Sequence, residues 1–451
     1  MADNVPVTPG QGSTVSVATD EIDDIHYPIY KVSWGALGTQ TPVSNADPMP
    51  IQISANSANA DAFGRLRTAA PRAVFDSKQI HNDQSLFWDD QEVTGTGTSS
   101  TWSQDTASST LAVSATTAGK RVRQTFMRHN YQSGKSQLVF MTGTLSVSGG
   151  GTGITRCMGS YDDNNGIFAK DNEGTVQFVI RSSYTGSAVD NAVDQSAWNI
   201  DRLDGSNGEF NPSGKTLDPL KSQILFIDFE WLGVGRVRVG FIIDGIYIIC
   251  HEFLHSNRET GVYMSTPNLP LRYEIENDGT GAASSVEAIC CTVISEGGIS
   301  AVGTNHANAT HSSFVNANTV GTRYAVFGLR LKTANLDSTV ELIRANIMNS
   351  TSDDYHWQIV HNPTIANSGS VTWTDAPNST VQYGVGDTSG NPSITTVTGG
   401  HVIASGYAKS GGNSGDIASE IETQLRLGAA IDGTRDEQWL VIMPLQAGAN
   451  I

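Results

Sequence analysis

One stretch limits the fold more than any other. Val237 to Ile243 is apolar at every second position, Asp244-Gly245 follows at once, and Ile246 to Cys250 resumes β-branched and aromatic residues. A period of two places Val237, Val239, Phe241 and Ile243 on one face of a strand. An Asp-Gly pair between two such runs predicts a two-residue hairpin, whose turn needs residues tolerant of positive φ. The same alternation marks Arg121 to Met127, Ser136 to Leu145 and Thr175 to Arg181. From Gln223 to Trp231, Leu225, Ile227, Phe229 and Trp231 share one face while Asp228 and Glu230 take the other. Asp171 to Gly174, after Ile167 to Lys170, is a second turn of similar kind.

Composition points the same way. With 46 glycines and only 16% charged residues among 451, the chain is poor material for long amphipathic helices and good material for short strands and tight turns. The expected class is all-β. Residues 76–300 read as a β-sandwich, and residues 301–451 as a smaller C-terminal β domain with strands at Tyr324 to Lys332, Tyr355 to Val360 and Gln438 to Met443. Val340 to Met348 fits a strand or a short helix, and periodicity does not choose between them.

Residues 1–75 differ. They hold almost no periodic apolar pattern, yet they carry Ile25, Tyr27, Ile29, Tyr30 and Trp34, large hydrophobes unusual in a linker. The expectation is an extended arm that docks these residues, with Phe63 and Arg65 further along, onto a partner. Each buried anchor would contribute about 1.5–3 kcal/mol before ordering costs.

The formal net charge is -18, from 27 basic and 45 acidic residues. No basic run offers counterion replacement, so nucleic acid is not an expected partner. The basic points Lys120 to Arg123 and Arg236 to Arg238 alternate with apolar residues, as strand faces do. No apolar run approaches the roughly 20 residues of a membrane span, and the N-terminus lacks the charged and hydrophobic regions of a signal peptide. Assembly in a cytoplasm is the expectation. Cys157, Cys250, Cys290 and Cys291 show no C-x-x-C spacing and read as small buried hydrophobes, not a disulfide scaffold.

Two motifs carry chemistry on paper. His251-Glu-Phe-Leu-His255 matches the zinc-peptidase pattern, with Glu276 as a third ligand. That pattern needs a helix, whereas this copy continues the hairpin strand, where positions four apart lie about 13 Å from each other. Asp162-Asp-Asn-Asn-Gly166 resembles the start of a calcium loop, with Glu173 at the twelfth position. Ile167, however, stands where an EF-hand needs glycine, so an Asx-rich turn is expected. Asp162 and Asp163 remain candidates for a ligand site of another kind. Asp89-Asp90 and Asp353-Asp354 could serve a glycan hydrolase but read as solvated turns. Among Trp88, Trp102, Trp198, Trp357 and Trp373, sugar stacking requires exposure, with Trp88 and Trp198 the foremost candidates. No catalytic residue, metal or cofactor is assigned.

The strings Asp61-Ala-Phe63-Gly-Arg65-Leu-Arg67, Val74 to Gln79, Leu86 to Asp90, Arg121 to Arg128, Tyr161 to Phe168 and Ile243 to Gly245 with Cys250 to Phe253 resemble virion proteins of tailed bacteriophages. The likeness covers residues 14–300 well and the last third more loosely. It implies a concanavalin-like (lectin-like) jelly-roll sandwich and a structural place in the particle, as a head fibre, tail fibre or minor component. Other virion subunits (capsid, collar, baseplate or tail) would be the partners. A homo-oligomer, with a trimer as one form, and a host surface glycan complete the expected set. The leading expectation is a virion structural protein and not an enzyme. A receptor-binding lectin is the alternative, followed by a glycan depolymerase or zinc peptidase.

Overall fold

Asp244 and Gly245 have φ of 52° and 77° and close a hairpin in which Ile243 faces Ile246. Around it the computed structural model builds an all-β molecule. It describes residues 70–145, 151–206, 208–300, 303–310, 314–345, 347, 353–388, 393–409 and 425–446 in full, plus the backbone of a few strands outside these ranges. The chain divides into two units, Met1–Thr68 and Ala69–Ile451.

In the first unit the backbone forms β1 (Asp3–Val7), β2 (Val15–Ile22), β3 (Ile25–Pro28), β4 (Ser33–Trp34) and β5 (Thr41–Pro42). β1, β2 and β3 make an antiparallel sheet with Val5 opposite Val17 and Val7 opposite Val15. The expected arm thus contains strands that pair with one another. Of its anchors, Ile25, Tyr27 and Trp34 lie on strands described by backbone alone. Ile29, Tyr30, Phe63 and Arg65 lie outside the described residues.

The second unit opens with β6 (Arg72–Lys78), β7 (Trp88–Gly95), β8 (Thr98–Ser103), β9 (Ser108–Val113) and β10 (Gly119–Thr125). Then come β11 (Gln137–Thr144), β12 (Ile154–Tyr161), β13 (Gly166–Asn172), β14 (Thr175–Ser182) and β15 (Val189–Asp194). β16 (Ser222–Phe229), β17 (Val237–Ile243), β18 (Ile246–Phe253), β19 (Leu271–Asn277) and β20 (Ser284–Ser295) complete a lectin-like sandwich. One sheet runs β15-β14-β13-β12-β19-β10-β7, the other β18-β17-β16-β11-β20-β9-β8. The twelve-residue β20 pairs β11 along one edge and divides the other between β9 and β6.

The inward residues of both sheets interdigitate. Val237, Val239 and Phe241 are fully buried, as are Leu225, Ile227, Met158, Ile167, Phe178 and Ile275. Trp198 is fully buried too, its ring 4.3 Å from Phe178. Trp88 donates from its indole to Ser77 Oγ inside the same core. Both tryptophans are therefore core residues and not sugar platforms; their large apolar rings fill the space between the sheets. Trp102, Trp357 and Trp373 are half-buried, and Arg330 covers the Trp373 ring at 3.9 Å.

One ion pair crosses the sandwich. Arg156 on β12 and Asp171 on β13 are register partners with side chains fully shielded from solvent, 2.6 Å apart. The guanidinium reaches the facing sheet, donating to Ser285 O at 3.0 Å and to Ser284 Oγ on β20. Asp171 Oδ1 accepts the Gly174 N–H at 2.8 Å, fixing the turn after β13.

After the sandwich come β21 (Asn316–Ala317), β22 (Tyr324–Leu331), β23 (Tyr355–His361), β24 (Thr364–Ile365) and β25 (Thr372–Asp375). β26 (Val381–Val385), β27 (Val397–Thr398), β28 (His401–Ala408), β29 (Glu437–Pro444) and β30 (Ala449–Asn450) follow. Their main sheet is ordered β25-β26-β22-β29-β23-β28. The three strands expected here are β22, β23 and β29. Val340 to Ala345 forms neither helix nor regular strand. This sheet joins the sandwich directly: Ala429 N–H donates to Phe126 O at 2.9 Å and Ile431 N–H to Asp89 Oδ2 at 2.7 Å.

Removing half of a buried ion pair leaves a charge without compensation. Arg156→Ala is expected to lower unfolding free energy by about 3–5 kcal/mol, and Arg156→Met with Asp171→Leu by much less. Chemical denaturation of the three proteins checks this; equal losses in single and double variants would show that the pair holds nothing together.

Candidate functional site

The H-E-x-x-H histidines go to separate places. β18 carries His251 with Glu252 on the opposite side, and a register shift between Val239 and Gly240 on the neighbouring strand turns His251 toward the core rim. There its Nδ1 accepts the Asn199 N–H at 3.2 Å. His255 lies beyond the strand, its Nδ1 2.7 Å from Gly235 O and its ring stacked on Tyr263 at 4.2 Å. Glu252 pairs with Arg236. Among the described residues, no group of three metal-binding side chains forms.

The Asp162 turn is likewise self-contained. Asp162 Oδ1 accepts the N–H groups of Asn164 and Asn165 at 2.7 and 2.8 Å, while Oδ2 takes Arg128. Asp163 pairs with Arg272 at 2.6 Å. Glu173 has φ of 53° and accepts the Gly153 N–H, serving its own turn. All the carboxylate positions of the calcium-like string are engaged within the protein. Asp89-Asp90 lies on strand β7 and not on a surface turn. Asp90 meets Arg121 at 2.6 Å and Arg123 at 3.2 Å, because alternation turns every second residue of both strands between the sheets.

What the structure does assemble is the outer face of the seven-stranded sheet. Register sets Asp89, Gln124, Arg272, Gly159, Phe168 and Val179 in one row. The next row holds Gln91, Val122, Glu274, Cys157, Lys170 and Gln177. Glu274 lies 2.7 Å from Lys120 and 3.3 Å from Arg272. Arg272 also donates to Gln124 at 2.8 Å, and Arg181 clasps Asp190 with two bonds of 2.7 and 3.0 Å. Tyr161 and Phe168 stack at 4.2 Å in the middle, with Arg272 over the first ring and Arg181 over the second. Gly159 makes this possible, since a Cβ there would meet Phe168 Cβ at 2.5 Å. The Tyr161 hydroxyl is buried and has no hydrogen-bond partner. Burial, then the charge of Glu274, pushes its pKa well above the usual tyrosine value.

General acid–base work on a glycoside needs one carboxyl free to give a proton and a second placed across the bond. Here Glu274 is committed to two cations. The charged groups of this face are thus tied to one another in a network. None of its central residues was singled out from sequence, although Arg272, Glu274 and Glu276 alternate with Leu271, Tyr273 and Ile275 and could have signalled a charged outer face.

No family model matches the chain, and no curated protein matches it. Similar solved structures include a legume lectin-like domain from Entamoeba histolytica (8% identity, TM-score 0.30, 50% of this chain and 98% of that one). An endo-1,3-beta-glucanase from Streptomyces sioyaensis has 9% identity and a TM-score of 0.32, over 50% and 96% of the two chains. The CBM2 module of an evolved Dit from Lactobacillus casei BL23 phage J-1 has 8% identity and a TM-score of 0.33, over 52% and 100%.

Three buried histidines give the molecule a pH signature. Burial lowers the pKa of His129 to about 3, with Arg426 adding to it, and that of His251 to about 4. Burial and the neighbouring His401 lower that of His361 to about 4. Each stays neutral in the folded protein down to its lowered pKa, while the unfolded chain takes up a proton below about 6.5, so stability is highest above that pH and falls as pH drops towards the folded value. The loss is roughly 2 kcal/mol per histidine at pH 5. Asp436, raised by burial to about 6, works in the opposite sense and offsets about 1 kcal/mol. Denaturant midpoints should fall from pH 7 to pH 5, and His129→Phe should flatten the slope. A midpoint independent of pH across that range would contradict the assignment.

Proposed function

We propose that this chain is a non-enzymatic structural component of a tailed-phage virion. In this reading residues 1–68 dock onto another virion subunit and the β body is displayed outward. The observation that carries it is the division of the chain. Among the described residues, the strands of the first unit pair only with one another, and the buried core cluster lies in the second. A small attachment unit joined to a self-sufficient body suits assembly, and repetition over many copies would add avidity. The committed state of the H-E-x-x-H histidines and of Glu274 supports a role without catalysis.

A glycan-recognition role for the sandwich is the second reading. It would use the polar groups of the outer sheet face that keep some exposure, Arg181 and Asp190 with Gln177, because the Tyr161 and Phe168 rings are fully buried. Convergent hydrogen-bonding groups on a sheet face can orient a ligand.

Deleting residues 1–68 should leave a folded body with an unchanged melting temperature that fails to enter particles. Normal incorporation of the truncated chain would refute docking through the first unit. For the second reading, a glycan array probed with the intact chain should give binding that Arg181→Ala weakens by about 1.5–3 kcal/mol, the worth of a hydrogen bond to a charged group. An array without signal would remove it.

A further inference from the structure

His361 at the end of β23 and His401 at the start of β28 are register partners. Directly opposed residues share a sheet face with Cβ atoms about 5 Å apart. The Gly399–Gly400 turn, with φ of 61° and 74°, brings His401 into that position. A Cβ on Gly400 would lie 2.5 Å from Val360 and 3.0 Å from His361 O, so the turn can be this tight only with glycine. Both histidines line a cavity of about 410 Å³ between the sandwich and the C-terminal sheet, together with Ser85, Leu86, Phe126 and Asn362.

His361 is only 3% exposed, and its Nδ1 has no hydrogen-bond partner. Its Nε2 faces Asp436 Oδ1 at 3.8 Å. Asp436 is itself fixed by the Asn362 amide at 2.6 Å and the Gly428 N–H at 3.1 Å. The ring thus faces a carboxylate beyond hydrogen-bond distance on one side and keeps a buried nitrogen that no described residue engages on the other. Further carboxylates stand near Asp436. Asp436 lies in the field of Asp89, and Asp89 in that of Asp432.

We propose that His361 and His401 form a two-imidazole site for a first-row transition-metal dication such as Zn²⁺. Asp436 stands behind His361 and would draw closer to it once metal makes the imidazole more acidic, and the cavity leaves the remaining positions to oxygen ligands. Among the described residues no third His, Cys, Asp or Glu completes a closed site. The coordination is therefore of the open kind, which keeps positions for water or an added ligand. Imidazole pairs favour zinc, copper and nickel over magnesium or calcium.

The test uses the full, tag-free chain stripped with chelator and titrated at neutral pH. Co²⁺ is followed by visible absorption and Zn²⁺ by calorimetry. One equivalent should bind, and His401→Gln should weaken it by about tenfold or more. His401 is exposed, so its replacement leaves the fold intact, which the metal-free melting temperature verifies. Asp436→Asn should weaken binding about tenfold as well, while His306→Gln, remote in sequence and exposed, should not. Absence of binding at millimolar metal, or equal affinity in His401→Gln, would overturn the proposal. An equal loss in His306→Gln would do the same.

Discussion

The sandwich depends on a charge that it cannot expose. Arg156 reaches from one sheet to the backbone of β20 in the other, and Asp171 neutralises it from the neighbouring strand. In an apolar core neither group is tolerable alone, because desolvation of an unpaired ion outweighs what packing around it returns. The register of β12 against β13 is thereby restricted: a slip of one residue between them would put the two charges on opposite faces. The same register places Cys157, Gly159 and Tyr161 on the outer side, opposite to Arg156. Core and outer face are thus two readings of one alignment.

This explains which strands were legible. β11, β14, β16 and β17 have neighbours on both sides, and their apolar alternation is plain in Leu225, Ile227 and Phe229 or Val237, Val239 and Phe241. The missed strands include the interior β9, β12, β19, β20 and β26, and with them five edges. β7 and β15 border one sheet, β8 the other, and β25 and β28 the C-terminal sheet. Their sequences, such as Trp88–Gly95 and Val189–Asp194, are rich in Asp, Thr and Ser. Edge strands bury little and gain from polar side chains that discourage further pairing, so the signal of alternation is weakest there. At the β18 edge the protection is explicit. Asn199 donates to Glu252 O at 3.0 Å and accepts its N–H at 2.9 Å, taking the place of another strand.

The site was less legible than the fold, for a geometric reason. Trp88 and Trp198 were attractive as single residues, but exposure depends on which face of which layer a residue occupies, and that is a property of pairing. Conversely Tyr161, Phe168, Arg181 and Arg272 are scattered over more than a hundred positions and meet only once four strands are aligned. The His251 motif makes the same point in reverse. Five residues with the right letters describe a metal site on a helix, where i and i+4 share a face. On β18 the letters remain and the site vanishes.

Histidine pairs are therefore better sought across strands than along them. His361 and His401 are separated by 40 positions that include the four strands β24 to β27 and a two-glycine turn, yet they stand side by side in the sheet. Their partner carboxylate, Asp436, comes from a third segment, held by Asn362 and by the Gly428 backbone. That segment also fastens the C-terminal sheet to Phe126 and Asp89 of the sandwich. The junction thus joins a structural task to an unsatisfied polar one. Buried polar atoms at a rigid junction are costly unless something completes them, and a junction built from both β units is where a ligand would couple one to the other.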